Sequence, residues 1–506
     1  MANLLWLILF GPLLGAGLCR LPRTPRAVLV VLAGVVGALA LAAAGVGVAV
    51  MRGGALVTAH AWLRLDALSA FHLLVLAFVF LSSTLFAVGY FTAAGLSLRQ
   101  ARGFAALWLA SLAAMTLVLV ANHLGLLWVG VETTTLVTTF LIAFHRSRES
   151  LEATWKYLMI CSVGIAIAFL GMLVFGAAAS HAGAGGGDVM LWTTLRDMAG
   201  RLDPKLAKLG FIFLLVGYGT KVGLAPMHTW LPDAHSQAPA PVSSMFSAAM
   251  LSTVLYCLMR YLPVVDAAAP GFAGHLLCLF GVLSMIIAAA FILFQRNVKR
   301  MLAYCSVEHI GIVAIALGLG GLGAFAAMFH TLNHSLAKSA GFFAAGRLGQ
   351  RAGSYQIARL RGSVSASPLW GMGLCLSLLA LIGVVPSAIF ASELMVVKAA
   401  AEAHASFTLV AFLVAGGTVF LGMFAHAMSM ARKSPEAANP RAGTGGGLSP
   451  LEPERGRVGE PSQGFHYLDF VVLGVPLLLL AVLGVWMPAP LRDALAQAAA
   501  VVRPPP

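Results

Sequence analysis

The sequence predicts an all-α polytopic membrane protein of about fourteen transmembrane helices. Of its 506 residues, 60% are hydrophobic and only 10% are charged, whereas a soluble protein carries about 25% charged residues. The apolar residues gather in runs that approach or exceed the roughly 20 residues needed to cross a bilayer. The basic residues fall mainly in short segments between those runs, which is the pattern that sets membrane topology.

In chain order the apolar runs cover residues 3–19, 27–50, 67–91, 104–121, 123–144, 152–177, 206–225, 240–263, 271–295, 300–319, 321–346, 368–400, 406–431 and 467–488. The first lacks a basic leader and a small-residue cleavage site, so it reads as a retained helix. Two runs are interrupted. Gly217, Gly219, Gly223 and Pro226 surround Lys221, and Gly383 and Pro386 precede Glu393. Residues 178–205 are glycine-rich and include a short amphipathic stretch. Residues 432–466 are rich in Pro, Gly, Arg and Glu and read as a flexible connector. The expected organisation is an N-terminal three-helix segment (1–103), two five-helix units (104–263 and 271–431), the connector (432–466) and a C-terminal helix with its tail (467–506). An odd number of helices per unit makes the second enter from the opposite side, giving an inverted repeat with two broken helices.

The net charge is +14. Twenty of the 32 basic residues, Lys156 among them, fall in odd-numbered connections, and eight, including Arg64 and Arg260, in even-numbered ones. The odd connections are therefore expected in the cytoplasm of a bacterial inner membrane, with both termini periplasmic. The same distribution argues against a nucleic-acid partner. Cys19, Cys161, Cys257, Cys278, Cys305 and Cys375 form no C-x-x-C pair and sit mostly in apolar runs, as small buried residues do. A G-x-G-x-x-G string at Gly318, Gly320 and Gly323 has no preceding strand, so it reads as a helix–helix turn rather than a nucleotide loop. No cofactor or metal is expected in this chain.

The chemistry lies in ionisable residues within apolar runs: Glu132, Lys221, Glu308 with His309, the trio His330, His334 and Lys338, and Glu393. A charge at a helix centre costs roughly 2.5–3.5 kcal/mol on insertion scales, so these groups must pair, hydrate or neutralise. Ion relays are the usual reason to retain them. His330, His334 and Lys338 recur every four residues and form one helical stripe. Lys156 follows Glu149 and Glu152, so it either snorkels to an i,i+4 partner or joins the relay.

Lys-Val-Gly-Leu-Ala-Pro-Met-His-Thr-Trp-Leu-Pro-Asp-Ala-His (residues 221–235) and the segments 296–311 and 330–338 resemble the antiporter-like membrane subunits of the complex I and group 4 membrane-bound hydrogenase family. Ser-Val-Glu-His (306–309) and Phe-Ala-Ser-Glu (390–393) look most like its hydrogenase-4 component F branch. The resemblance implies a subunit without redox centres that moves protons, coupled to electron transfer in partners. Those partners would be other membrane subunits and a peripheral hydrogenase- or dehydrogenase-like arm. The relay it implies is Glu132, Lys156 and Lys221 in one half, and His330, His334, Lys338 and Glu393 in the other, with Lys156 beside Glu132. Glu308, His309, Ser247, His228 and Asp233 are secondary candidates. Ser247 stands where many relatives carry His or Lys, and Glu393 where some carry Lys. A cation/proton antiporter subunit or an inorganic-carbon uptake subunit is the alternative reading.

Overall fold

The protein is described here by a computed structural model covering residues 2–58, 60–183, 189–432 and 467–503. The expected connector therefore lies almost wholly outside the described residues, together with Lys433, Arg441, Arg455 and Arg457. Within them the chain is nearly all helix, because a segment in lipid must satisfy its own backbone. The N-terminal helices are α1 (Ala2–Leu18), α2 (Pro25–Gly53) and α3 (Ala67–Ala93), with a hairpin of β1 (Leu56–Thr58) and β2 (Leu63–Leu65) between the last two. The first half continues with α4 (Leu98–Val120), α5 (Leu124–Ile142), α6 (Arg148–His181), the short amphipathic α7 (Trp192–Asp197), α8 (Pro204–Val222) and α9 (Trp230–Gln237). It closes with α10 (Ala240–Met245), a π-turn (Phe246–Met250) and α11 (Leu251–Ala268). The second half holds α12 (Phe272–Ile292), α13 (Val298–Leu319), α14 (Leu322–Ala352), α15 (Ser363–Ala366), α16 (Pro368–Leu381), α17 (Ala388–Glu402) and α18 (Ser406–Ala431). Two helices, α19 (Tyr467–Val485) and α20 (Ala489–Val502), complete the described chain.

Ten of these segments are long and apolar enough to cross a membrane by length and composition. The other expected spans fall on the short α1, on α8 and α14, which carry Lys221 and Lys338, and on the α16–α17 pair. Both expected breaks are present. α8 stops at Gly223, whose φ of +85° is a left-handed cap, and α9 resumes only at Trp230. The α16–α17 break has Gly383 at φ +68°. α6 and α8 meet closely because Gly164 faces Gly217: a Cβ at Gly217 would lie 2.5 Å from the Ala168 nitrogen. The G-x-G-x-x-G string forms the α13–α14 turn, as expected.

The even connections knit into one layer. Asn122 donates to the Ala61 carbonyl and to Thr193, and Trp192 Nε1 donates to the Arg260 carbonyl. At the other end, Arg102 reaches the Pro22 carbonyl, Tyr90 meets Tyr355, and Gln350 reaches the Tyr90 carbonyl. Arg260 corrects the charge count made from sequence. It is no loop residue; its side chain is 3% exposed in α11. Its guanidinium grips Asp66 with two bonds of 2.6 and 2.8 Å, bonds Ser69 and Tyr256, and stacks on Trp192. Burial pushes the Asp66 carboxyl up, but Arg260 overrides this and holds it at about 2.

Removing one partner of a buried pair strands the other charge, at a cost of about 3–5 kcal/mol. Arg260→Ala should therefore lower the unfolding transition strongly. Asp66→Leu combined with Arg260→Met should lower it much less. Equal losses in thermal unfolding of the purified chain would show that the stranded charge is not what destabilises the single variant.

Candidate functional site

The α8 break sets Lys221 in the interior, fully buried. Its ammonium donates to Thr135 Oγ1 at 3.0 Å and to the Tyr157 hydroxyl, and it lies 4.4 Å from the Tyr157 ring centre. Thr138 gives its own hydrogen to the Thr134 carbonyl, so the Tyr157 hydrogen points at Thr138 Oγ1, 2.6 Å away, leaving a lone pair for Lys221. Glu132 lies on α5 one turn before Thr135. Its Oε1 accepts from Ser162 at 3.0 Å, and its Oε2 is buried without a protein partner. Among the described residues no ion pair joins Glu132 to Lys221. Hydroxyl contacts hold Lys221 instead, with the Glu132 carboxylate acting through space.

Lys156 also sits differently from the expectation set by the resemblance. Its ammonium pairs with Glu152 at 2.6 Å and Asp233 at 3.2 Å, not with Glu132. The reason is helical: Lys156 and Tyr157 are about 100° apart on α6. Tyr157 faces Lys221, and Lys156 snorkels outward to its i,i+4 partner. Asp233 additionally holds Arg300 at 2.7 Å, so α9 ties α6 to α13. His228 is nearly buried beside the Tyr304 ring. Lys299, buried, crosses from α13 to the Ser236 and Ala238 carbonyls.

The second cluster surrounds α14. Lys338 is fully buried and donates to the Leu302 carbonyl at 2.7 Å. The expected stripe is real: His330, His334 and Lys338 all face inward. His309 Nδ1 and His330 Nε2 share a hydrogen over 2.8 Å, and His330 Nδ1 lies 2.9 Å from Ser392 Oγ. The His334 ring centre is 5.2 Å from that of His309. Glu308 is 4% exposed, well inside the protein. Glu393 follows Ser392 on α17, half-buried, with its carboxylate over the Gly383 turn. Ser247, in the π-turn, lies 2.8 Å from Ser306 of α13.

Cys305, Glu308 and His309 offer thiol, carboxylate and imidazole atoms within 4.8 Å of one another, a donor set suited to a divalent metal. Lys338 lies near enough to Cys305 and Glu308 to interact with both.

Several groups here were not singled out in the sequence: Tyr157, Thr135, Ser306, Ser392 and His235. His235 is fully buried between the Phe246 and Phe342 rings, with neither ring nitrogen bonded to protein. Only the threonine-rich run after Glu132 was a readable signal. A tyrosine or serine in an apolar run looks like core packing.

Residues 121–419, which include Glu132, Lys221, Lys338 and Glu393, match the family described as NADH:quinone oxidoreductase/Mrp antiporter, TM. The chain belongs to this family. That is the family its motifs resemble. A hydrogenase-4 component F homolog of Methylacidiphilum infernorum is 42% identical over 301 residues, covering 59% of this chain and 63% of the relative. NADH-quinone oxidoreductase subunit N of Halorhodospira halophila is 33% identical over 285 residues, 55% of this chain and 56% of the relative. The chain thus spans less than two thirds of the length of these curated relatives. In the solved membrane-bound sulfane sulfur reductase, an archaeal respiratory membrane complex, one chain shares the fold with a TM-score of 0.82 at 24% identity. The match covers 98% of this chain and 97% of that one. The fold is therefore shared with that chain over essentially the full length.

Hydrogen bonds to a charged group are worth about 1.5–3 kcal/mol. Tyr157→Phe should cost about that much in the wild-type background and much less beside Lys221→Met. A double-mutant cycle in reversible unfolding with no coupling between the two sites would refute the contact's importance.

Proposed function

We propose that this chain is a proton-translocating membrane subunit of a complex I-like oxidoreductase, of the hydrogenase-4 or NADH-quinone oxidoreductase kind. Its Lys221 and Lys338 would hold protons in transit, and electron transfer would belong to partner subunits and a peripheral arm. The carrying observation is two fully buried lysines whose ammonium groups touch hydroxyls and a carbonyl rather than carboxylates. Such a lysine is poised: a carboxylate moving nearer favours its charged form, and one moving away favours release. Glu132 and Glu308 stand at that one remove, and Asp233, paired with Lys156 of its own half and Arg300 of the other, bridges the halves on the side of the odd connections.

A buried ammonium repels alkali cations but exchanges protons, which favours H⁺ over a cation/proton antiport cycle. We read residues 104–263 and 271–431 as the inverted units, supported by the matching breaks at Gly223 and Gly383. We also place the odd connections on the cytoplasmic side of a bacterial inner membrane and both termini on the periplasmic side. The basic excess and the separate layers of even and odd connections support this orientation. Residues that hold a flavin, haem or cluster are not part of this reading.

The test is acidification by sealed vesicles carrying the intact complex, with electron transfer assayed in parallel. Lys221→Ala should cut proton movement by about a hundredfold or more, in the range for loss of a proton-transfer group. Lys221→Arg should fail too, because guanidinium does not release its proton. Wild-type pumping by an assembled Lys221→Ala complex would make this lysine structural.

A further inference from the structure

Cys305, Glu308 and His309 stand at positions i, i+3 and i+4 of α13, so one face of that helix carries a thiol, a carboxylate and an imidazole. Their ligating atoms lie within 4.8 Å of one another, and all three residues are buried. Among the described residues no other trio of His, Cys, Asp and Glu comes together in this way. A buried cysteine ordinarily serves as a small apolar residue, but this one has two metal-ligating groups for neighbours. The proton-translocating reading uses Glu308 and leaves the thiol without a part.

Free donor atoms surround the trio. Glu308 Oε2 and His309 Nε2 are buried with no protein hydrogen bond, and so is His334 Nε2 on α14. The His334 ring centre is 5.2 Å from that of His309, so a fourth donor stands beside the imidazole of the trio. The other nitrogen of His309, Nδ1, lies 2.8 Å from His330 Nε2, and His330 Nδ1 lies 2.9 Å from Ser392 Oγ. Metal-binding histidines are held in this manner, one nitrogen fixed by a neighbour and the other left for the ion. Thiolate and imidazole donors suit zinc, whereas magnesium and calcium prefer oxygen, and zinc takes four such ligands. The charges match as well. One thiolate and one carboxylate balance the two charges of the ion, so Lys338, within reach of Cys305 and Glu308, would face a site of no net charge.

We propose that Cys305, Glu308, His309 and His334 form a binding site for zinc, and that an ion held there stops proton movement through the second half of the chain; the second part rests on the proton-translocating reading above. The ion acts as an inhibitor and not as a resident cofactor. On binding, the Cys305 S–H bond breaks, its proton leaves to water and a zinc–sulfur bond forms. Glu308 binds as the carboxylate, and any proton it carries leaves the same way. Each histidine gives the ion a nitrogen lone pair. No electron is transferred, because zinc is redox-inert. Glu308, His309 and His334 then have no free site for a proton, so three groups of the α13–α14 cluster leave the relay at once. The groups around Lys221 keep their own contacts.

The test titrates zinc chloride into sealed vesicles carrying the intact complex, and measures zinc content and zinc K-edge X-ray absorption on the same complex after purification. Wild type, Cys305→Ser and Cys305→Ala are compared, each acidification rate being referred to that of the same complex without zinc. Wild type should hold one more zinc per complex than either variant, and that zinc should show a sulfur neighbour at about 2.3 Å. The zinc concentration for half-inhibition should rise about tenfold or more in both variants, at least the loss that changing an outer-shell partner brings. Magnesium at the same concentrations should not inhibit. Equal zinc content in wild type and both variants would overturn the site. Zinc that depends on Cys305 but leaves acidification unchanged would overturn the block. The relay reading is tested apart from both, by zinc-free Lys221→Ala: wild-type acidification there would overturn that reading, while zinc content, which needs no pumping, still decides the site. If neither cysteine variant assembles, His334→Gln decides by zinc content alone, and an undiminished content overturns the site.

Discussion

Two ammonium groups sit deep in a bundle surrounded by hydrocarbon, and the surrounding architecture accommodates that fact. An unpartnered charge there would cost several kcal/mol. A tight carboxylate pair would remove the cost but fix the proton in place. Lys221 and Lys338 take an intermediate course. Tyr157, Thr135 and the Leu302 carbonyl solvate the ammonium groups without adding a counter-charge. The carboxylates stand nearby, on Glu132, Glu308 and Glu393. The lone ion pair with bidentate geometry inside the described bundle, Asp66–Arg260, lies apart from both lysines and locks α3 to α11. Arginine suits that task because it does not give up its charge.

The backbone irregularities follow the same requirement. The π-turn at 246–250 and Gly223 of the first break are buried in protein, the setting in which freed backbone groups can find partners, whereas the Gly383 break leaves Val385 and Pro386 exposed. Trp230 Nε1 takes up the Thr220 carbonyl beside the first break, and Ser335 takes up the Ala248 carbonyl in the π-turn. A third set of polar atoms has no protein partner: Glu132 Oε2, Glu308 Oε2, His309 Nε2, His334 Nε2 and both nitrogens of His235. Each such group left dry would cost about 1–3 kcal/mol.

The fold was legible because its signals are one-dimensional. Apolar runs mark helices, Gly with Pro marks the breaks, and the spacing from His330 through Lys338 marks an inward stripe. The charged members of the site were legible for a related reason: a lysine in an apolar run stands out. What joins them was not. Tyr157, Ser306 and His235 acquire their roles from partners distant in the chain, Lys221, Ser247 and Phe342, and serine or tyrosine is unremarkable in a helix core. Lys156 shows the converse. Sequence spacing to Glu152 described its contact correctly, whereas the resemblance alone placed it with Glu132. Arg260 counted as a topology signal until its partner Asp66, 194 residues earlier, came into view.

The proposed proton movement requires a continuous hydrated path between the two lysine clusters. The most direct measurement is cryo-electron microscopy of the intact complex at a resolution that shows individual waters. The expected result is ordered water bonded to His235, Glu308 Oε2 and His334 Nε2. Clear density showing a dry, closely packed interior between Lys221 and Lys338 would contradict it.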